Sequence, residues 1–159
     1  MKVTRRFEFD AAHRLMGYDG SCSNIHGHHY VAEVTVASLA SGLEALDDLG
    51  MLIDFKELKS IGDWIDVHWD HALLLNPGDN LDIPTKITRM ASGNPIAENM
   101  AKVLCDVVEI TQLPSGNPTA ENMAKILYDV ADSIIPPGVV VSNIRLYETP
   151  DCFVDFDGR

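Results

Sequence analysis

Two stretches constrain the fold of this chain more than any other feature. In VTRRFEFDAAH (3–13), Val3, Phe7, Phe9, Ala11 and His13 share one parity, the period of two that a half-buried strand requires. In HHYVAEVTVAS (28–38), Tyr30, Ala32, Val34 and Val36 lie on one face and Val31, Glu33 and Thr35 on the other. The C-terminal region repeats the pattern. VVVSNIRLYET (139–149) puts Ile144, Leu146 and Glu148 on one face, and CFVDF (152–156) follows after Pro150-Asp151. Strands at both ends of a helical middle predict an α+β fold with an antiparallel sheet. The 159 residues suit one domain over 1–159, with a core large enough to fold without staples.

The middle of the chain reads as helix and loop. Residues 39–50 are small, acidic and glycine-bearing, and predict a loop. A helix is expected from Asp54, where Asp54 and Glu57 form a capping-box pattern and Ile53 can staple onto Leu58. Phe55, Leu58, Ile61 and Ile65 continue it at helical spacing. Residues 76–95 are rich in Pro, Gly and Asn and predict another loop. SGNPIAENMAKVLCDV (92–107) and SGNPTAENMAKILYDV (115–130) differ only at Ile96/Thr119, Val103/Ile126 and Cys105/Tyr128. A solenoid needs about three such units, so two copies indicate a local tandem duplication. Each copy predicts an amphipathic helix opened by Asn-Pro. In the second, Ala120, Met123, Ala124, Leu127 and Val130 form the apolar stripe.

A net charge of −12 argues against non-specific binding to nucleic acid or anionic membrane. It leaves room for an anionic substrate held by a local cation cluster. No apolar run approaches the ~18 residues of a membrane span, and the N-terminus lacks the apolar region of a signal peptide. Three scattered cysteines, Cys22, Cys105 and Cys152, form no disulfide framework, so a reducing, cytoplasmic setting is expected.

Three of the six histidines fall in CSNIHGHHY (22–30). On an extended strand His26 and His28 share a face while His29 points the other way. His13, at the end of the first strand, can supply a third imidazole if the strands pair. Three histidines suit Zn²⁺ and leave a fourth position open, the pattern of a catalytic site. Exposed loop histidines are the alternative that an H-x-H motif alone leaves open. Cys22 reads as a metal ligand, a nucleophile or base, or a small buried residue, the last being the commonest role of a lone cysteine. In HWDHALLLN (68–76), Asp70-His71 is either a dyad or a polar helix end. Glu148, on an otherwise apolar face, is either at the sheet's edge or placed to bind something.

FDAAHRL, CSNIHGHHY, GMLIDFKEL, WDHALLLN, NPTAENMAKIL and RLYETP occur together, in this order, across nearly the whole chain. In this the sequence resembles the 6-pyruvoyltetrahydropterin synthase and 6-carboxytetrahydropterin synthase family. The resemblance implies the tunnelling fold, here a ββααββ unit with an extra inserted helix. In that fold, sheets from several subunits close into an oligomeric β-barrel. It further implies a homohexamer, a dimer of trimers, with sites at subunit interfaces. By the same resemblance His13, His26 and His28 hold Zn²⁺, Cys22 accepts a proton, and Asp70 and His71 form a second proton relay. Glu148 anchors the pterin, with Thr119 and Glu121 near the pocket. The triphosphate needs cations, for which Arg14 is the candidate.

The interval C-SNI-HGH resembles that of the bacterial carboxytetrahydropterin-forming branch of queuosine (7-deazaguanine) biosynthesis. The expected activity is a zinc-dependent lyase reaction. It converts 7,8-dihydroneopterin triphosphate to 6-carboxy-5,6,7,8-tetrahydropterin, acetaldehyde and triphosphate, without a nicotinamide. A pyruvoyl-forming lyase is the runner-up; a non-catalytic zinc/pterin-binding homologue and another pterin or purine enzyme of the same fold are further alternatives. Of the two helix copies, the second carries Thr119 and is in register with the C-terminal strands. It is the copy expected to be functional.

Overall fold

The computed structural model describes residues 1–80 and 110–159. The first repeat copy (92–107), Cys105 and most of the loop expected over 76–95 lie outside the described residues. Strand β1 (Lys2–His13) and strand β2 (His26–Ser38) are followed by helix α1 (Lys59–His68) and the short strands β3 (Leu73–Leu75) and β4 (Ile110–Gln112). Helix α2 (Ala120–Ile134) leads into β5 (Val139–Thr149) and β6 (Cys152–Phe156). The strands form one open sheet in the order β4-β3-β1-β2-β5-β6.

The four alternating segments pair antiparallel, β1 with β2, β2 with β5 and β5 with β6. The expected all-antiparallel sheet is corrected at the other edge, where β3 joins β1 in parallel and β4 joins β3 in parallel. A three-residue leucine run carries no periodicity that separates strand from helix. Burial follows the parity of the sequence. Phe9, Ala11, Tyr30, Ala32, Val34 and Val36 face a core completed by Ile144 and Leu146 of β5, Ile61 and Ile65 of α1, and Met123, Ala124, Leu127 and Ala131 of α2. Both helices therefore cover one face of the sheet. Ala131, rather than the expected Val130, closes the buried stripe of α2.

The helix expected from Asp54 begins instead at Lys59. The Asp54 carboxylate accepts from the backbone N–H of Lys56 at 2.8 Å, and the N–H of Glu57 donates to the Asp54 carbonyl at 3.0 Å. These bonds satisfy the backbone in turns rather than in helix. Phe55 is left exposed, while Ile53 and Leu58 both still enter the core. Gly62 of α1 crosses β1 so closely that a Cβ there would lie 2.9 Å from the Phe7 ring.

Two register shifts position side chains. Between Thr35 and Val36 the pairing with β5 slips, so that Val141, not Ser142, turns into the core. Between Tyr147 and Thr149 the pairing with β6 slips at Glu148. Bulges of this kind re-aim a side chain locally.

Candidate metal centre and its surroundings

Strand β2 begins at His26, two residues earlier than expected. His13 sits directly opposite His26 in the β1–β2 ladder, and Ala11 opposite His28. Strand pairing thus places three imidazoles on one face. Their ring centroids are 4.5 Å (His13–His26), 5.0 Å (His26–His28) and 5.2 Å (His13–His28) apart. One nitrogen from each lies within 4.8 Å of the others. His29 faces away and contacts Asp10 at 2.9 Å.

The hydrogen bonds fix which nitrogens face inward. His13 Nδ1 lies 2.7 Å from the Pro118 carbonyl and His26 Nδ1 lies 2.9 Å from the Asn24 carbonyl. A carbonyl only accepts, so each Nδ1 donates to it; in the neutral form of each ring, Nε2 is then the atom with the lone pair. Those two Nε2 atoms are 3.1 Å apart. Two lone pairs cannot hydrogen-bond to each other; an electrophile between them removes the conflict. His28 Nε2 is buried with no hydrogen-bond partner among the described residues. The Glu148 carboxylate lies 3.7 Å from it, beyond hydrogen-bond reach, and 3.4 Å from His13 Nε2. His13 is 2% exposed, and burial lowers its proton affinity against the opposing bond to Pro118. Three clustered imidazoles, one with a buried ring nitrogen that has no partner among the described residues, fit a borderline-soft divalent cation such as Zn²⁺.

Above the triad, the Tyr30 hydroxyl stands 3.4 Å from His13 Nδ1, and burial raises its pKa strongly. Stacking of Tyr30 on Phe9, with centroids 5.1 Å apart, holds that ring in place.

The remaining candidates fall at several places. Cys22 occupies a 3-10 turn (Ser21–Ser23), half-buried, its carbonyl accepting from the Leu15 N–H at 2.8 Å. This ties the turn to the chain just past His13, but the thiol is not among the atoms clustered within 4.8 Å. Asp70 and His71 lie in the turn between α1 and β3. His71 adopts a left-handed φ of 58°, an uncommon conformation in which histidine is enriched. Its Nδ1 lies 2.7 Å from Asp70 Oδ2, while Asp70 Oδ1 accepts from the Asp10 N–H at 2.9 Å. The His71 side chain is 73% exposed. Among the described residues no hydrogen bond or ion pair joins this dyad to the three histidines. Thr119 caps α2, accepting from the Asn122 N–H at 3.3 Å, and Glu121 is exposed in the first turn.

Arg14 is engaged by Asp79. Its Nε donates to Asp79 Oδ2 at 2.7 Å and its Nη2 to Oδ1. Asp79, 1% exposed at its side chain, had no signal in the sequence, since 65 residues separate the partners. The Pro118 carbonyl was also missed; the Asn-Pro before the Thr119 cap was its only trace.

The Arg14 guanidinium holds the Asp79 carboxyl below the usual carboxylate range. A depressed folded-state value gives stabilisation that is present above the unfolded pKa of about 3.9 and lost as pH falls through the folded value. Asp79→Asn is therefore expected to be less stable than wild type near neutral pH and to show a shallower acid loss below about pH 4. Denaturant titrations across this range check it; parallel stability curves would exclude the pair as a contributor.

Known proteins resemble the chain along its length. The model of the family described as 6-pyruvoyl tetrahydropterin synthase matches residues 2–159. A 6-carboxy-5,6,7,8-tetrahydropterin synthase of Rickettsia felis is 39% identical over 98% of this chain and 99% of its own length. A protein of the same name from Haemophilus influenzae is 30% identical over 98% of this chain and 97% of its own. The solved structure of uncharacterized protein WS1659 from Wolinella succinogenes covers 100% of this chain and 98% of its own, with a TM-score of 0.74 and 23% identity. Caenorhabditis elegans 6-pyruvoyl tetrahydropterin synthase covers 100% and 96%, with a TM-score of 0.64 and 22% identity.

Proposed function

The chain belongs to the 6-pyruvoyl tetrahydropterin synthase family, and from that premise we propose that it is a zinc-dependent 6-carboxy-5,6,7,8-tetrahydropterin synthase. It converts 7,8-dihydroneopterin triphosphate and water to 6-carboxytetrahydropterin, acetaldehyde and triphosphate, in queuosine (7-deazaguanine) biosynthesis. The observation that carries the proposal is the convergence of His13, His26 and His28, one ring nitrogen from each within 4.8 Å of the others, with the buried His28 Nε2 lacking a hydrogen-bond partner among the described residues. It occurs in a chain whose full-length relatives bear that name.

His13, His26 and His28 hold the metal. When bound, Zn²⁺ acts as a Lewis acid on substrate oxygens and acidifies the adjoining C–H bond. Cys22 takes a proton from the substrate side chain as its thiolate. Asp70 orients His71 through the 2.7 Å bond, and its second oxygen is fixed by the Asp10 N–H, so the imidazole is aimed for a second proton transfer. Glu148, re-aimed by its bulge, accepts from the 2-amino group and ring N–H of the pterin, a pairing akin to a carboxylate on a guanidinium. Thr119 and Glu121 flank that pocket. Asp79 takes the Nε N–H and one Nη2 N–H of Arg14, and the guanidinium's remaining N–H groups are the donors proposed for a phosphate oxygen. Other cations are supplied by neighbouring subunits.

Among the described residues no hydrogen bond or ion pair joins the Asp70–His71 dyad to the triad, which is consistent with a site completed across a subunit interface. The assembly proposed is a homohexamer, a dimer of trimers, in which tunnelling-fold sheets close into a barrel. The chain acts as one domain over 1–159, in the cytoplasm, on a small-molecule substrate rather than on nucleic acid or membrane. No described helix is long and apolar enough to cross a membrane.

Incubating the zinc-loaded protein with dihydroneopterin triphosphate and identifying products by mass tests the proposal. Carboxytetrahydropterin with acetaldehyde is expected. A pyruvoyl product would move the chain to the other branch of the family, and no turnover would leave a zinc-binding homologue.

A further inference from the structure

We infer that Asn117 is a positioning residue for the three-histidine centre, stitching the chain that follows His13 to the proline carbonyl that orients it; this rests on the metal-binding reading above. The Asn117 side-chain amide pairs with the backbone of Met16 in both directions. Oδ1 accepts from the Met16 N–H at 3.0 Å, and Nδ2 donates to the Met16 carbonyl at 3.0 Å. This reproduces a rung of sheet three residues past His13, using a side chain 101 residues away.

Other bonds fix Asn117 itself. The Asn76 amide donates to its Oδ1 at 3.1 Å. Its own carbonyl accepts from the Thr119 N–H at 2.8 Å and from Asn122 Nδ2 at 2.9 Å. Gly116 before it has φ 72°, and a Cβ there would meet Asn122 Nδ2 at 2.7 Å. Between this clamp and the α2 cap lies Pro118, buried and with a restricted φ, whose carbonyl sits 2.7 Å from His13 Nδ1. His13 and its acceptor thus lie on two segments joined beside them by Asn117, and both the Met16 and Asn76 links pass through that one side chain. A carbonyl on the far ring nitrogen fixes the tautomer and orientation of a metal-binding histidine. Loss of such support costs roughly 10- to 100-fold in metal affinity.

Asn117→Ala leaves the Pro118 carbonyl in place but loosens its support, and is expected to weaken zinc binding, measured by chelator competition on the full chain, by up to about 10-fold, the lower end of the range for losing a direct outer-shell partner. Tyr128→Phe serves as a stability control. It removes the Tyr128 hydroxyl's 3.2 Å bond to the Val141 carbonyl, away from the centre. It is expected to lower the denaturation midpoint while leaving zinc affinity within about twofold. If Asn117→Ala does not fold, Asn76→Ala removes one support of the same amide, and several-fold weaker binding is expected. Unchanged affinity in Asn117→Ala, or in Asn76→Ala where that stands in, overturns the inference. So does an equal loss in Tyr128→Phe. A wild-type chain that takes up no zinc sinks the metal reading itself, and the inference with it.

Discussion

His28→Ala is expected to lower zinc affinity by roughly two to three orders of magnitude and to abolish turnover, while leaving the metal-free fold as stable as before or more so. The two effects have opposite signs because of one atom. His28 Nε2 is buried without a partner among the described residues, and an unsatisfied buried polar atom costs about 1–3 kcal/mol. Removing it relieves that cost in the metal-free chain. With zinc, the same atom is a donor. Apparent zinc binding energies in small protein sites run to about 10–16 kcal/mol, so one ligand of three or four carries several kcal/mol. The metal contribution outweighs the desolvation relief, and the variant loses metal while keeping its fold. Chelator competition and denaturation of the metal-free protein read the two quantities separately. Retained affinity would remove His28 from the centre; a large fall in metal-free stability would make it a packing residue.

Cys22→Ala is expected to lower turnover by roughly 10²- to 10⁴-fold, the usual contribution of a positioned proton acceptor, with zinc content unchanged. The thiol lies outside the group of nitrogens that converge within 4.8 Å, so its loss leaves the ligand set intact. It sits on a turn tied by backbone to Leu15, so its removal leaves that bond in place. Metal analysis alongside steady-state kinetics separates the outcomes. Zinc lost in proportion to activity would make the thiol a ligand, and full activity would make it a bystander.

The four long strands and the triad were legible because both depend on parity. His13, Tyr30 and Ala32 face inward for the same reason that Phe9 and Val34 do, and antiparallel pairing of β1 with β2 then sets His13 against His26. The start of α1 was not legible. Asp54 and Glu57 have the spacing of a capping box, but the Asp54 carboxylate closes a turn onto Lys56 instead. The parallel edge was hidden because β3 is three leucines, buried on both faces and too short for a period to show. Long-range polar pairs left no local trace: Asp79 finds Arg14 across 65 residues, and Pro118 finds His13 across 105. The bulge at Glu148 was likewise invisible, although the carboxylate on an apolar face marked the position.

X-ray absorption at the zinc edge of the loaded wild-type protein tests the central claim most directly. A first shell of nitrogen and oxygen donors at about 2.0–2.1 Å, including three imidazoles and no sulfur, is the expected result. A zinc–sulfur distance near 2.3 Å would place Cys22 in the coordination sphere and contradict the assignment of a three-histidine centre with a free catalytic thiol.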